Sequence, residues 1–138
     1  MISINDVFED QVQISLNQVL YEKSAATEQA VSNLQFVIND VIKIIEKTSD
    51  HMKMLVGRDI SFTPVSVFHI AVNYEIVWKP KYWQAIESVE NDEIIQSMLS
   101  EKKDFLCSMA GRISLLISQI TSSTGIPPII TPGEFIIK

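Results

Sequence analysis

Residues 67–78, VFHIAVNYEIVW, show the clearest strand pattern in the sequence. Every second residue is apolar, and the intervening positions mix small or β-branched residues with polar ones. The apolar set is Phe68, Ile70, Val72, Tyr74 and Ile76. This period of two predicts a β-strand, and apolar residues on both faces predict a central place in a sheet. Lys79-Pro80-Lys81 should end the strand, because proline cannot donate to the hydrogen-bond ladder.

Residues 11–23, QVQISLNQVLYEK, alternate in the same way. One side carries Val12, Ile14 and Leu16, and beyond Gln18 the apolar phase passes to Val19 and Tyr21. A half-buried strand is predicted here, and the change of phase predicts a bulge or a bend near Gln18.

Residues 52–62 predict a further strand, because Met52, Met54 and Val56 alternate with Lys53 and Gly57, and Ile60 and Phe62 continue the pattern. Pro64 should end it. The preceding Thr48-Ser49-Asp50-His51 is typical of a turn.

Residues 27–48 admit two interpretations. Apolar side chains recur there at steps of three and four, namely at Ala30, Leu34, Val37, Ile38, Val41, Ile42 and Ile45. That spacing favours one helix with a single apolar stripe. Alternatively, Leu34, Phe36 and Ile38 alternate as in a strand, and a β-branched run follows a kink at Asn39-Asp40. Periodicity alone favours the helix.

From about Asn91 to Thr124 the apolar period becomes 3.6, as in a helix. The charged run at residues 101–104 interrupts the stripe, which predicts two helices meeting there, the second over about Lys103 to Thr124. Asp92 and Glu93 suit the first turn, where the helix dipole favours acids. Gly125 suits the position just beyond the second helix.

Composition limits the class of protein. A chain of 138 residues with 46% hydrophobic and 20% charged residues predicts one globular domain spanning residues 1–138. A net charge of −6 with scattered Lys and Arg disfavours nucleic acid and anionic membrane surfaces. One cysteine, no signal peptide and no apolar run of membrane-spanning length predict a cytoplasmic protein that is not inserted in a membrane.

The sequence offers little chemistry. His51 and His69 have no partners at metal-ligand spacing, so hydrogen-bonded or solvated imidazoles are expected. Cys107 lies in a helical apolar pattern, which favours a packed thiol over a nucleophile. The four glycines are too dispersed for a phosphate loop. We therefore predict no catalytic residue, no metal, no cofactor and no enzymatic activity.

Four aromatic residues lie close together at the end of the strand predicted over residues 67–78. Tyr74, Trp78, Tyr82 and Trp83 lie within ten residues. They could form an edge of the core, or a binding surface, since Trp and Tyr supply large contact areas at low ordering cost.

The C-terminal stretch GIPPIITPGEF, residues 125–135, completes the pattern. A long amphipathic helix followed by Gly, a Pro-Pro pair, a short aliphatic run, a further proline and a phenylalanine resembles the C-terminal region of the SecB family of protein-export chaperones. The strand FHIAVNYEIVW also resembles that family's third strand. The resemblance covers about Val67 to Phe135. Pro128 and Phe135 stand about one residue closer than in the family, and Gly133-Glu134 replace its usual apolar and Asn residues.

This resemblance implies an α+β fold with an antiparallel sheet of about four strands and long C-terminal helices on one face. Such a sheet needs residues 36–46 and 52–62 as a hairpin, against the helical periodicity. The family also implies a homodimer or a homotetramer, with helical surfaces between Asn91 and Thr124 at the interface. The sequence ends at Lys138 without the Cys/His zinc-binding tail of the family's export members, so a role in protein transport is less supported than the fold.

The predicted function is a SecB-like chaperone that holds unfolded or extended polypeptide segments in apolar grooves. The predicted lining is Tyr74, Trp78, Tyr82, Trp83, Ile126, Ile129, Ile130 and Phe135. The prolines should let the tail lie extended across the fold without joining a sheet. One alternative is a dedicated protein-interaction subunit, a toxin or assembly partner, on the same fold. The other is a small-ligand or enzymatic role in the cleft between sheet and helix.

Overall fold

The computed structural model describes residues 2–23, 35–63, 68–124 and 128–136. Four strands are followed by two long helices, and a single helical turn precedes the first strand. In chain order the elements are α1 (Ile4–Val7), β1 (Phe8–Lys23), β2 (Gln35–Lys47), β3 (Met52–Thr63), β4 (Phe68–Pro80), a 3-10 turn (Trp83–Ala85), α2 (Asn91–Glu101) and α3 (Lys103–Ser123). This is the predicted α+β architecture.

The strands form one antiparallel sheet in the order β1-β4-β3-β2. Strand β4 is central and its alternate residues Phe68, Ile70, Val72 and Ile76 are buried, which confirms the interpretation of residues 67–78. The strand ends at Pro80, as predicted. Strands β2 and β3 form a hairpin whose turn is closed by a hydrogen bond of 2.8 Å from Thr48 N–H to the His51 carbonyl.

The helix favoured by the periodicity of residues 27–48 is wrong for the described part of that segment, because residues 35–47 form the strand β2. Its register on β3 shifts between Ile44 and Glu46, so Ile45 is an extra residue in a bulge. Apolar residues occupy both faces of β2, because Ile38, Ile42 and Ile44 pack against the core whereas Val41 and Ile45 are exposed. Apolar residues on both faces put neighbours such as Val41 and Ile42 side by side, and the resulting steps of three and four imitate a helix. The hairpin predicted from the family resemblance is confirmed, and residues 27–34 lie outside the described part of the chain.

Strand β1 contains the predicted bulge. Its register on β4 shifts between Leu16, opposite Tyr74, and Gln18, opposite Asn73, so Asn17 is the additional residue. The Asn73 side chain holds the bulge in place, accepting a hydrogen bond from Asn17 Nδ2 at 2.7 Å and donating one to Gln18 Oε1 at 2.9 Å. The bulge absorbs Asn17, and Leu16 and Val19 consequently lie on the same face of the sheet.

Helices α2 and α3 pack on one face of the sheet, with a break at Lys102 where two helices were expected to meet. The buried stripes of the two helices meet the buried side chains of β3 and β4. Their buried apolar residues are Ile94, Met98, Leu106, Met109, Ala110, Ile113 and Ile117. Among the described residues, α3 alone has the length and composition of a membrane-spanning helix, and its stripe packed on the sheet accounts for that composition.

The N-terminal turn α1 was not predicted from the sequence. Ile4, Val7 and Phe8 are buried, and the Phe8 ring lies 6.0 Å from the ring of Trp78. The carboxylate of Glu101 accepts hydrogen bonds from Ile4 N–H and from Ser3 Oγ. A four-residue helix has no measurable period, so only these tertiary contacts define it.

Candidate functional site

Among the described residues, the core face of the sheet is only partly covered along the edge strand β1. Leu16 and Val19 stand opposite Tyr74 and Val72, whose side chains belong to the core face. Val72 is fully buried, yet Leu16 is 49% and Val19 46% exposed. Half-buried Ile14, Tyr21 and Tyr74 adjoin them and pack against the core. We call Ile14, Leu16, Val19, Tyr21 and Tyr74 the β1 patch.

One flank of helix α3 lies towards the β4 and β1 side of the sheet. By helical spacing, Phe105 and Leu116 lie on the flank opposite Ser114 and Thr121. The Phe105 ring contacts Trp78 of β4 at 5.5 Å, so that flank faces β4 and β1. The exposed part of β1 thus lies on the side of α3 that carries Phe105 and Leu116.

The opposite flank of α3 is occupied by residues 128–136, which we call the C-terminal strap. Ile129 N–H donates to Thr121 Oγ1 at 2.9 Å, and Ser114 Oγ donates to the Thr131 carbonyl at 2.8 Å. Ile129 and Phe135 pack against the core. The predicted docking of this proline-rich segment beside the last helix is thus observed over the described part of the strap.

The strap covers a buried ion pair between Arg58 of the central strand β3 and Asp40 of the edge strand β2. Arg58 donates to Asp40 through Nε at 2.7 Å and through Nη2 at 2.9 Å, and both side chains are fully buried. The remaining guanidinium hydrogens bind the strap. Nη1 donates to Thr131 Oγ1 and the Pro132 carbonyl, at 2.7 and 2.6 Å, and Nη2 to the Glu134 carbonyl at 2.8 Å.

The predicted site residues fall in separate places. Tyr74 belongs to the β1 patch. Trp78 is only 2% exposed and lies between Phe8 and Phe105 in the core, so truncating it would act first on stability. Tyr82 is 64% exposed after β4, and half-buried Trp83 packs against the core in the 3-10 turn.

The strap holds the other predicted residues. Ile129 and Phe135 are half-buried inside it, whereas Ile130 is 74% exposed and points away from the protein. Ile126 lies outside the described residues. The structure therefore does not bring the described members of the predicted set into one lining, and a role in binding stays a prediction for each of them.

Polar chemistry is sparse in the described ranges, where no group of His, Cys, Asp and Glu could hold a metal ion. His69 Nε2 lies 2.6 Å from Asp59 Oδ2, and His51 Nε2 lies 3.2 Å from Glu46 Oε2. The hydrogen bond from His51 is the main cause that lowers the pKa of the Glu46 carboxyl. Partly buried Cys107 lines a cavity of about 230 Å³ beside Phe135.

The sequence interpretation did not single out Arg58, Leu16 or Val19 as residues that shape these surfaces. Arg58 occupies the same strand phase as Met54 and Val56, so a charge in a core phase pointed to a buried partner. Leu16 and Val19 were assigned to the apolar phases of β1, but nothing in a strand pattern says which apolar residues a helix will leave uncovered.

The sequence matches no protein-family model and no curated protein. Among solved structures, a SecB-like chaperone from Mycobacterium tuberculosis, in complex with a ChAD peptide from the HigA1 antitoxin, is similar with a TM-score of 0.57 and 11% sequence identity, covering 93% of this chain and 89% of that one. A protein of unknown function from Streptococcus agalactiae, at 11% identity, covers 93% of this chain and 98% of that chain with a TM-score of 0.43. The first similarity shows that this chain has a SecB-like fold.

Proposed function

We propose that this protein is a SecB-like binding protein that holds extended or unfolded polypeptide segments on the β1 patch, beside α3. The observation that carries the proposal is the exposure of Leu16 and Val19 on the core face of the sheet, beside an edge strand. Apolar side chains at that position are normally covered by a helix, and here they remain available for a ligand.

Strand β1 also offers backbone hydrogen bonds. Within the described residues it pairs only with β4, and its other edge carries unpaired N–H and C=O groups along 16 residues. An extended polypeptide can add to such an edge while its alternate side chains contact the β1 patch. Main-chain pairing does not depend on sequence, which suits a protein that holds varied clients.

The similar chaperone was solved with a bound peptide, which supports polypeptide binding on this fold. The proposal excludes an enzymatic role and assigns the binding energy to apolar contact. Burying the exposed halves of Leu16 and Val19 would contribute on the order of 2 kcal/mol at about 25 cal/mol per Å². The predicted homodimer or homotetramer, the cytoplasmic location and a role in protein transport belong to the same proposal.

Aggregation of a chemically denatured client, followed by light scattering during refolding, tests the proposal. We expect the wild-type protein to suppress aggregation, and Leu16→Ser with Val19→Ser to weaken the suppression by roughly an order of magnitude. Leu115→Ser is the matched control, because Leu115 is 59% exposed on α3 and lies outside the β1 patch. The proposal would be wrong if the wild type failed to suppress aggregation at any molar ratio. It would also be wrong if Leu115→Ser weakened the suppression as much as Leu16→Ser with Val19→Ser.

A dedicated interaction subunit is the second candidate function, favoured because the similar chaperone carries a peptide from one antitoxin. A pull-down with the full chain distinguishes the two. One stoichiometric partner would support the dedicated subunit, and a spectrum of unfolded proteins would support the general chaperone. Loss of capture in the Leu16→Ser, Val19→Ser variant would place either kind of partner at the β1 patch.

A further inference from the structure

The C-terminal strap is held largely through its main chain. The ion pair of Arg58 and Asp40 contacts three backbone groups at alternate positions: the Pro132 carbonyl, the Glu134 carbonyl and the Ile136 N–H, which donates to Asp40 Oδ2 at 2.7 Å. Over the described part of the strap, Thr131 contributes the one side-chain contact to this pair. Most of these bonds would form with any polypeptide segment that followed the same path.

Arg58 is completed by the strap. A guanidinium has five N–H donors. Two of them bind Asp40, and the other three bind Thr131 and the carbonyls of Pro132 and Glu134. Because buried donors need acceptors, whatever covers this part of the core must supply about three acceptors in the place of the strap. A polypeptide backbone supplies them, and an apolar ligand does not.

A cavity lies next to this backbone clamp. The cavity of about 230 Å³ has apolar walls formed by Leu99, Leu106 and Phe135, and it is also lined by Cys107, Lys103 and Glu134. Phe135 is half-buried there and packs against the core. The groove therefore combines main-chain recognition with one apolar anchor, which are the two features of a site for a polypeptide segment.

We propose that the groove under the C-terminal strap is a second polypeptide-binding site and that the strap is its built-in occupant. The ligand is a segment of another protein that places an aromatic side chain in the Phe135 cavity and its carbonyls on Arg58. The inference rests on the proposed polypeptide-binding function, and it adds that the protein regulates this second site by competition with its own C-terminal segment.

Competition by a tethered segment is strong, because the strap is present at an effective concentration on the order of millimolar. A free segment binds well only when the strap is weakened. Phe135→Ala weakens the strap by removing its anchor and leaves Arg58 and Asp40 intact. Ile130→Ala is the matched control in the same segment, since Ile130 is 74% exposed.

The probe is a fluorescein-labelled synthetic peptide with the sequence of residues 128–136, PIITPGEFI. Fluorescence anisotropy with the full-length chain should show at least tenfold tighter binding to Phe135→Ala than to the wild type or to Ile130→Ala, because intramolecular competition is lost. A second peptide, which keeps the Phe and carries alanine at the other non-proline, non-glycine positions, should also bind Phe135→Ala. A peptide with Ser in place of the Phe should not.

Arg58→Lys, combined with Phe135→Ala, tests the backbone clamp, because Lys keeps the charge but lacks the planar fork. We expect peptide binding to be lost while circular dichroism shows a folded chain. If this variant does not fold, Thr131→Val in the same background serves instead. It removes the side-chain contact of the strap to Arg58 and so weakens the competitor, and the alanine peptide should bind more tightly; unchanged or weaker binding would contradict the proposal.

Three outcomes would overturn the proposal. Phe135→Ala could bind the peptide no more tightly than the wild type, or bind the Ser peptide equally well. Light scattering could instead show that the wild type is a dimer which Phe135→Ala dissociates, so that the occupant is the strap of a second copy. Failure of the β1 patch variants in the aggregation assay leaves these measurements unaffected, so the two proposals fail separately.

Discussion

Gly57 and Gly111 differ in whether the surrounding structure leaves room for a side chain. A Cβ on Gly57 in β3 would lie 2.6 Å from the Asn73 Cβ and 3.0 Å from the Val72 carbonyl, whereas a Cβ on Gly111 in α3 would meet nothing within 4 Å. The close approach of β3 and β4 at Gly57 lies directly beneath the side chain that holds the β1 bulge. The glycine there is required by packing against backbone and not by backbone conformation.

Substituting these glycines should change stability in opposite directions. Gly57→Ala should destabilise by about 1–3 kcal/mol, because the sheet must shift to admit the methyl group. Gly111→Ala should stabilise by up to about 1 kcal/mol, because glycine is a poor helix former. Urea denaturation midpoints measure both, and equal signs would contradict the geometry at Gly57.

The Glu46–His51 contact makes a small part of the stability depend on pH. Hydrogen bonding from His51 lowers the pKa of Glu46 below its ordinary value of 4.5, with Lys53 contributing from 3.5 Å. Because the folded pKa is depressed, this contribution is present above the unfolded pKa and is lost as the pH falls through the folded value.

His51→Gln should therefore raise the pKa of Glu46 towards 4.5, as followed by an NMR titration of its side-chain carboxyl. His69→Gln is the control, because His69 contacts Asp59 on the neighbouring strands and not Glu46. An unchanged Glu46 titration in His51→Gln would show that His51 is not the cause.

At the scale of elements, the buried pair of Arg58 and Asp40 joins β2, β3 and the C-terminal strap. A buried ion pair adds little net stability over apolar packing, but breaking one partner leaves an uncompensated charge. An otherwise apolar core can hold these two charges because Arg58 and Asp40 bind each other and form hydrogen bonds with three main-chain groups of the strap.

Asp40→Asn should destabilise the protein by about 3–5 kcal/mol, measured by urea denaturation. Glu9→Gln provides the comparison, because Glu9 lies 3.8 Å from Lys79 and both side chains are largely exposed. Removing that pair should cost under about 1 kcal/mol. Similar costs for the two variants would mean that Arg58 finds other acceptors when Asp40 is lost.

At the scale of the whole molecule, one core joins the N-terminal turn, the sheet, both helices and the strap. The predicted single domain should therefore unfold in one step. Urea unfolding followed by tryptophan fluorescence, which reports Trp78 in the core and Trp83 in the 3-10 turn, should coincide with unfolding followed by circular dichroism. Separate transitions would show that the part around Trp83 unfolds independently of the sheet.

Prediction from the sequence succeeded where a pattern was regular and failed where an irregularity interrupted it. The alternation around Tyr74 gave β4 its central place, and the change of phase at Gln18 revealed the β1 bulge. In β2 apolar residues on both faces, with Val41 and Ile45 exposed and Ile38 and Ile42 packed on the core, gave a strand the spacing of a helix, and only the family resemblance favoured the correct assignment. The chemistry of the Arg58–Asp40 pair was hidden because its partners are 18 residues apart on two strands.

Where the pattern is regular, as in β4, the amino-acid sequence alone indicates which residues face the core, because the directions of side chains along a strand follow from local backbone geometry. Which of the core-facing residues are covered depends on the tertiary structure. Leu16 and Val19 have the same pattern as the buried residues of β4, and they are exposed because no described element packs over that part of β1. Phe135 is half-buried because the strap crosses α3 and reaches Arg58. Such coverage depends on contacts between segments distant in the chain, which no local pattern specifies.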